Sequence, residues 1–202
     1  MSSRAAFFDL DATLITVTSI FRFLAFDQEP GRYDRAMADL LARKANGASR
    51  VETNRAFYRN FAGRHRDELM AAGERWFDTE LRTTDPFFRP DALAALRAHQ
   101  AEGELTVLIS GSFAPCVEPI VKYLGIDLVR CTELVLRDGV CTGEVVTPMV
   151  GEHKAQAVLE VAREHDLALA DCAAYGDDVS DLPMLALVGR PFLLGDNENV
   201  RK

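Results

Sequence analysis

The chain has 202 residues, 48% of them hydrophobic and 27% charged, which fits one or two folded domains and excludes a disordered polymer. Its net charge is −8, and an acidic chain without a basic stripe repels phosphate backbones, so no nucleic-acid partner is expected. No apolar run nears the roughly 20 residues of a membrane-spanning helix, so no membrane association is expected either.

In chain order, RAAFFD (4–9) reads as a short buried parallel strand ending in a carboxylate. Residues 15–84 then hold 9 of the 17 aromatic residues and 11 of the 19 arginines, at helical spacing. Helices are predicted over 21–26, 33–45, 51–61 and 66–81, separated at Glu29-Pro30-Gly31, Asn46-Gly47 and Gly63 and closed by Asp85-Pro86. Phe21, Phe23, Phe26, Trp76 and Phe77 are expected in the core of this segment, with one of the first three rings alternatively lining a substrate pocket. Beyond it, 90–103 is helical, LTVLIS (105–110) a strand, 114–124 a helix and IDLVR (126–130) a strand. Residues 132–146 read as a separate hairpin turning at Asp138-Gly139. Residues 152–165 form a helix with Ala155, Val158, Leu159 and Ala162 on one face; a strand (171–176), a helix (181–188) and a strand (190–195) follow. This alternation predicts an α/β fold: a three-layer, doubly wound parallel sheet, Rossmann-like, with a helical bundle inserted after the first strand. The domains are then 1–14 with 85–202 as core and 15–84 as insert. The opening reaches two aspartates before an apolar stretch can build, unlike a secretory signal. Cys116, Cys131, Cys141 and Cys172 show no C-x-x-C pair and no matching histidine spacing, as expected of reduced thiols in a cytoplasmic protein without zinc.

Four elements carry chemistry. Asp9-Leu10-Asp11-Ala12-Thr13 ends the first strand, where open α/β sheets bind ligands, and a period of two points both carboxylates the same way. Neighbouring carboxylates separate in pKa, which divides them into a nucleophile and a proton carrier. Solvated loop residues or helix caps account equally for such a pair. Gly176-Asp177-Asp178-Val179-Ser180-Asp181 crowds three carboxylates at another strand end, where Mg²⁺ or simple helix capping would relieve them. Ser110-Gly111-Ser112 lets backbone N–H groups approach a phosphate, or merely turns the chain. Lys154, one of only four lysines, offers a point charge at a helix start, or a solvated one; His153 beside it reads as a surface residue.

The order and spacing of these elements resemble the haloacid dehalogenase superfamily over the whole chain. DLDAT, GDDVSDLPML and the position of the insert resemble its phosphoserine-phosphatase-like branch (subfamily IB). The resemblance implies a Mg²⁺-dependent phosphatase of a small phosphate monoester, with 15–84 as a cap. Asp9 would attack phosphorus and form an aspartyl phosphate, and Asp11 would serve as acid and then base. Thr13, Ser110, Gly111 and Lys154 would form the phosphate-binding set, with Thr13 steadying the acidic loop. Asp9, the Asp11 carbonyl and Asp177 would hold Mg²⁺, and Asp178 and Asp181 would act through waters or by orienting Lys154. Where members of that branch carry a glutamate nine positions after the nucleophile, pairing with the substrate ammonium, this chain has Thr18, which argues against serine phosphate. Arg22, Arg55 and Arg59 are candidates to read a second anion on the substrate, or form a solvated face. A phosphotransferase or mutase using the same aspartyl phosphate, and a non-catalytic phosphate-binding module, remain alternatives.

Overall fold

The computed structural model describes residues 4–27 and 31–194. The Glu29-Pro30 break, the first three residues and Gly195 lie outside the described residues. The first strand, β1 (Ala5–Phe8), is followed by β2 (Leu105–Phe113), β3 (Leu128–Arg137), β4 (Val140–Thr147), β5 (Ala173–Gly176) and β6 (Arg190–Leu193). They form one sheet in the order β4-β3-β2-β1-β5-β6, parallel throughout except for β3 against β4. The chain steps outward from β1 to β2, β3 and β4, then returns across β1 to β5 and β6. The carboxyl ends of β1 and β5 therefore sit where the winding reverses, the position at which such sheets bind ligands.

The expected strand at 126–130 and the first hairpin arm are one strand. The first half of β3 pairs in parallel with β2 and its second half antiparallel with β4, with register shifts absorbing the change of partner. The turn after it falls where predicted, with Asp138 (φ 52°) and Gly139 (φ 79°) both left-handed, as a tight two-residue hairpin requires.

Alternation along β1 explains the three layers. Ala6 and Phe8 point into one apolar cluster and Ala5 and Phe7 into a second on the opposite face. Helices α5 (Pro90–Ala101) and α6 (Ala114–Leu124) fill the first with Leu96, Val117 and Ile120. Helices α7 (Glu152–Glu164) and α8 (Leu182–Leu185) fill the second with Val158, Val161 and Met184. On α7, Leu159 is exposed rather than inward, and Val161 takes its place in the buried stripe.

Among the described residues, four α-helices and a 3-10 turn (Arg59–Phe61) occupy the segment between β1 and α5: α1 (Ser19–Asp27), α2 (Arg32–Ala45), α3 (Arg50–Tyr58) and α4 (Arg66–Thr83). The start of α3 is fixed by a capping box. The Ser49 hydroxyl accepts from the Glu52 N–H, and the Glu52 carboxylate accepts from the Ser49 N–H at 2.7 Å. Trp76, Phe77 and Phe23 are buried as expected, whereas Phe21 is half-buried and Phe26 is exposed. The helices share a core with the sheet: the Phe113 ring from β2 lies 5.5 Å from that of Phe23 and 4.8 Å from that of Phe61. Close packing of α4 on α6 depends on Gly73, where an added Cβ would lie 1.9 Å from the Pro115 carbonyl oxygen. No helix among the described residues is long and apolar enough to cross a membrane.

Candidate active site

Asp9 leaves β1 with its N–H donating to the Tyr175 carbonyl of β5 at 2.9 Å, so the sheet itself positions this residue. The chain then turns tightly. The N–H groups of Thr13, Leu14 and Ile15 all reach back to the Leu10 carbonyl, with Leu10 buried beneath them. Ala12 at the apex adopts φ 57°, a left-handed conformation that costs an alanine roughly 1–2 kcal/mol. The turn brings Asp9 and Asp11 to one cavity of about 170 Å³, together with Gly111, Lys154, Asp177 and Asp178.

Lys154 holds the base of the site. It lies in the first turn of α7, only 3% exposed, with Nζ 2.6 Å from both Asp9 Oδ1 and Asp181 Oδ1. Burial works against its ammonium, but the two carboxylates outweigh burial and raise its pKa. Burial pushes Asp9 well up, with Lys154 pulling it back and Asp181 and Asp11 adding to the rise. Asp11 is also raised by burial, although its Oδ1 accepts the Ser19 N–H at 2.9 Å. That bond makes Asp11 the partner of the first N–H of α1 while its side chain lines the cavity.

The acidic cluster after β5 divides its work. Asp178 Oδ1 accepts from the Ser180 N–H, so this residue caps the following turn and does not touch Lys154. Asp181 accepts from the N–H groups of Asp177 and Asp178 through Oδ2 and grips Lys154 through Oδ1. Gly176 admits this approach: an added Cβ would sit 2.5 Å from Asp181 Cβ. Asp177 Oδ1 accepts from the Thr13 hydroxyl at 3.0 Å, and its carboxyl is pushed up to about 6, first by burial and then by Asp181.

Side-chain oxygens of Asp9, Asp177 and Asp181 lie within 4.8 Å of one another. Hard oxygen donors crowded beside a single lysine suit Mg²⁺. The third carboxylate of this cluster is Asp181, while that of Asp11 is engaged by Ser19.

Several expected residues stand elsewhere. Thr13 is fully buried with its hydroxyl given to Asp177, so it steadies an acidic residue instead of facing the cavity. Ser110 belongs to β2, is 1% exposed and accepts from the Ser112 N–H; Gly111, not Ser110, forms the cavity wall. Arg22 pairs with Glu80 at 2.9 Å, Arg55 donates to the Val145 carbonyl at 2.6 Å, and neither these nor Arg59 line the cavity. The arginine that does is Arg50, with Asn54 one turn later on α3. The Ser49-x-x-Glu52 capping box was the available signal for the phase of that helix. His153 is half-buried and faces a second, larger cavity of about 690 Å³ between α4, α6, β3 and α7. That space contains none of the clustered aspartates, so the chemistry belongs to the smaller cavity.

The family described as haloacid dehalogenase-like hydrolase matches residues 6–186. A probable phosphatase of Mycobacterium tuberculosis is 30% identical over 98% of this chain and 71% of that protein. A phosphoserine phosphatase of the same species is 30% identical over 98% of this chain and 66% of that protein. The solved structure of a protein of unknown function from Bordetella pertussis superposes with a TM-score of 0.83 at 28% identity, covering 100% of this chain and 94% of that one. These likenesses run the length of the chain and reach well beyond its acidic motifs, and by them it belongs to the haloacid dehalogenase-like hydrolase family.

Proposed function

We propose that the protein hydrolyses a small phosphate monoester through an aspartyl phosphate on Asp9, with Mg²⁺ as cofactor. The observation that carries this reading is Lys154, placed 2.6 Å from Asp9 and Asp181 at a cavity that Asp11 and Asp177 also line. Phosphoryl transfer depends on in-line positioning and charge neutralisation, and the side chains at this cavity suit both tasks.

Lys154 holds Asp9 Oδ1, which leaves Oδ2 to attack. As the Oδ2–P bond forms, the P–O bond of the ester breaks and the leaving alkoxide takes the proton of Asp11. Burial raises the Asp11 carboxyl, which favours the protonated form that this step requires. The resulting Asp11 carboxylate takes a proton from water, whose oxygen attacks phosphorus. The Oδ2–P bond then breaks, restoring Asp9 and releasing phosphate. Lys154 neutralises charge on the nucleophile and the phosphoryl oxygens, and the Gly111 N–H binds one of those oxygens. Asp9, Asp177 and the Asp11 carbonyl would hold Mg²⁺, which supplies further neutralisation of the phosphoryl charge. Thr13, Asp178 and Asp181 position these groups.

In this reading residues 1–14 and 85–202 are the catalytic core and 15–84 the cap, since α1 and α3 contribute to the cavity wall. The four free cysteines fit a reducing cytoplasm. The test is phosphate release from a panel of monoesters with Mg²⁺ and with EDTA, beside Asp9→Asn. Metal-dependent release that the variant abolishes supports the reading. Transfer to an added acceptor with little free phosphate would make the protein a phosphotransferase. Tight phosphate binding without turnover would make it a binding module.

A further inference from the structure

The two sides of the catalytic cavity differ in charge. Asp9, Asp11, Asp177 and Asp178 line it from the core, whereas no Asp or Glu among the described residues of 15–84 does so. The helical side instead presents apolar Ile20, Phe21, Leu40 and Phe57 together with Thr18, Arg50, Thr53 and Asn54. The Thr53 hydroxyl is engaged by the Ser49 and Arg50 carbonyls, and Arg50 and Asn54, four residues apart, share one face of α3.

Asn54 is 7% exposed, and its Nδ2 donates to the Gly111 carbonyl at 3.1 Å. That bond fixes the orientation of the amide and leaves Oδ1 a buried acceptor without a partner among the described residues. Buried acceptors are nearly always paired, so an orphan on a cavity wall calls for a donor from the ligand. Arg50 is exposed at the same cavity, and its guanidinium makes no hydrogen bond or ion pair among the described residues, although its charge acts on Asp11 and Asp178 across the cavity. A guanidinium so placed binds a carboxylate through two parallel hydrogen bonds. The space is small: about 170 Å³, against the roughly 300–1,000 Å³ of pockets that enclose drug-sized ligands.

We propose that Asn54 and Arg50 select a short phosphorylated hydroxy acid, the substrate hydroxyl donating to Asn54 Oδ1 and the substrate carboxylate pairing with Arg50. This rests on the phosphatase reading above. An ammonium in place of the hydroxyl would meet a neutral oxygen and a nearby guanidinium, with no carboxylate among the described residues on that side of the cavity to neutralise it. The matching amino-acid phosphate is therefore the poorer substrate.

The test compares kcat/KM for four matched esters and a generic one, all with Mg²⁺. The first is 3-phosphoglycerate. Phosphoserine replaces its hydroxyl with an ammonium, the phosphate ester of 3-hydroxypropionate removes the hydroxyl, and glycerol 3-phosphate removes the carboxylate. p-Nitrophenyl phosphate reports the chemistry alone. The expected result is a preference for 3-phosphoglycerate of about tenfold or more over each matched ester, because a site built to bond a group penalises its loss. Arg50→Gln should collapse the ratio of 3-phosphoglycerate to glycerol 3-phosphate. Asn54→Asp should shift preference towards phosphoserine. Asn54→Asp also loses the bond to Gly111, so if that variant fails to fold, the ratio in Arg50→Gln decides. Turnover of p-nitrophenyl phosphate with flat ratios, or with phosphoserine preferred, overturns this inference and leaves the phosphatase reading standing. No turnover of any ester overturns both.

Discussion

The Tyr58 hydroxyl, from the end of α3, donates to the Gly111 carbonyl at 2.8 Å. The same oxygen accepts from Asn54 Nδ2 and, on its other side, from the Thr132 hydroxyl at 2.8 Å. Three donors from two parts of the chain thus pin one peptide where Gly111 faces the cavity. Tyr58→Phe removes one donor and leaves the carbonyl satisfied by the other two, so the expected loss of stability is only about 1 kcal/mol. Urea denaturation should show a lower midpoint with an unchanged slope. A severalfold fall in kcat/KM should accompany it, as the peptide loosens; an unchanged kcat/KM would show that the bond does not position the site.

Lys154→Met should abolish most activity. It removes the cation between Asp9 and Asp181, and losing one such charge-stabilising donor typically costs about 10²–10³ in kcat. It also leaves two buried carboxylates facing one another, at a cost on the order of 3–5 kcal/mol. Protonating either carboxylate relieves the repulsion, so the stability deficit relative to wild type should shrink as pH falls. Melting curves at about pH 5 and pH 8 check this, and a deficit that grows towards acid would contradict the assignment.

Mg²⁺ binding should weaken in acid. Asp177 ligates only when ionised, and its carboxyl is pushed up to about 6. Binding therefore releases a proton below that value and none well above it. The affinity should be flat above about pH 7 and fall by up to about tenfold per unit below pH 6. Titration calorimetry across this range measures it directly, and a constant affinity from about pH 5 to 8 would remove Asp177 from the ligand set.

Gly73→Ala tests the junction of α4 with α6. The new methyl would lie 1.9 Å from the Pro115 carbonyl oxygen, so backbone must move, at a cost of about 1–3 kcal/mol. For a chain of this length each kcal/mol lowers the melting temperature by about 2–4 °C. An unchanged melting temperature would mean that the two helices separate freely.

Much of this arrangement was legible because it is local. The carboxylates follow strands whose apolar runs are plain, and Lys154 opens a helix whose glycine precedes it, so placing those elements places the residues. What failed depended on distant partners. Arg22 reads as an exposed helix residue until Glu80, 58 positions away, accepts its Nε and Nη2. Arg55 is engaged by a carbonyl 90 positions on. The break predicted inside β3 reflects a change of pairing partner, from parallel β2 to antiparallel β4, which side-chain alternation does not record. Leu159 was misplaced because four apolar residues at plausible helical spacing do not fix which edge of the stripe turns outward. Asn54 gave no signal of its own; only its orphan oxygen marks it.

The registry of β1 with β5 pairs Phe8 with Tyr175, so Asp9 and Asp177 are each reached within two residues of a single rung. The ruler that spaces them is a backbone ladder, indifferent to side-chain identity. Arg50 and Asn54 hang from a helix more than 40 residues downstream and share no rung with either aspartate. Substitutions on the cavity-lining face of α3 thus change the lining of the cavity without touching the ladder that sets the distance between the two acids.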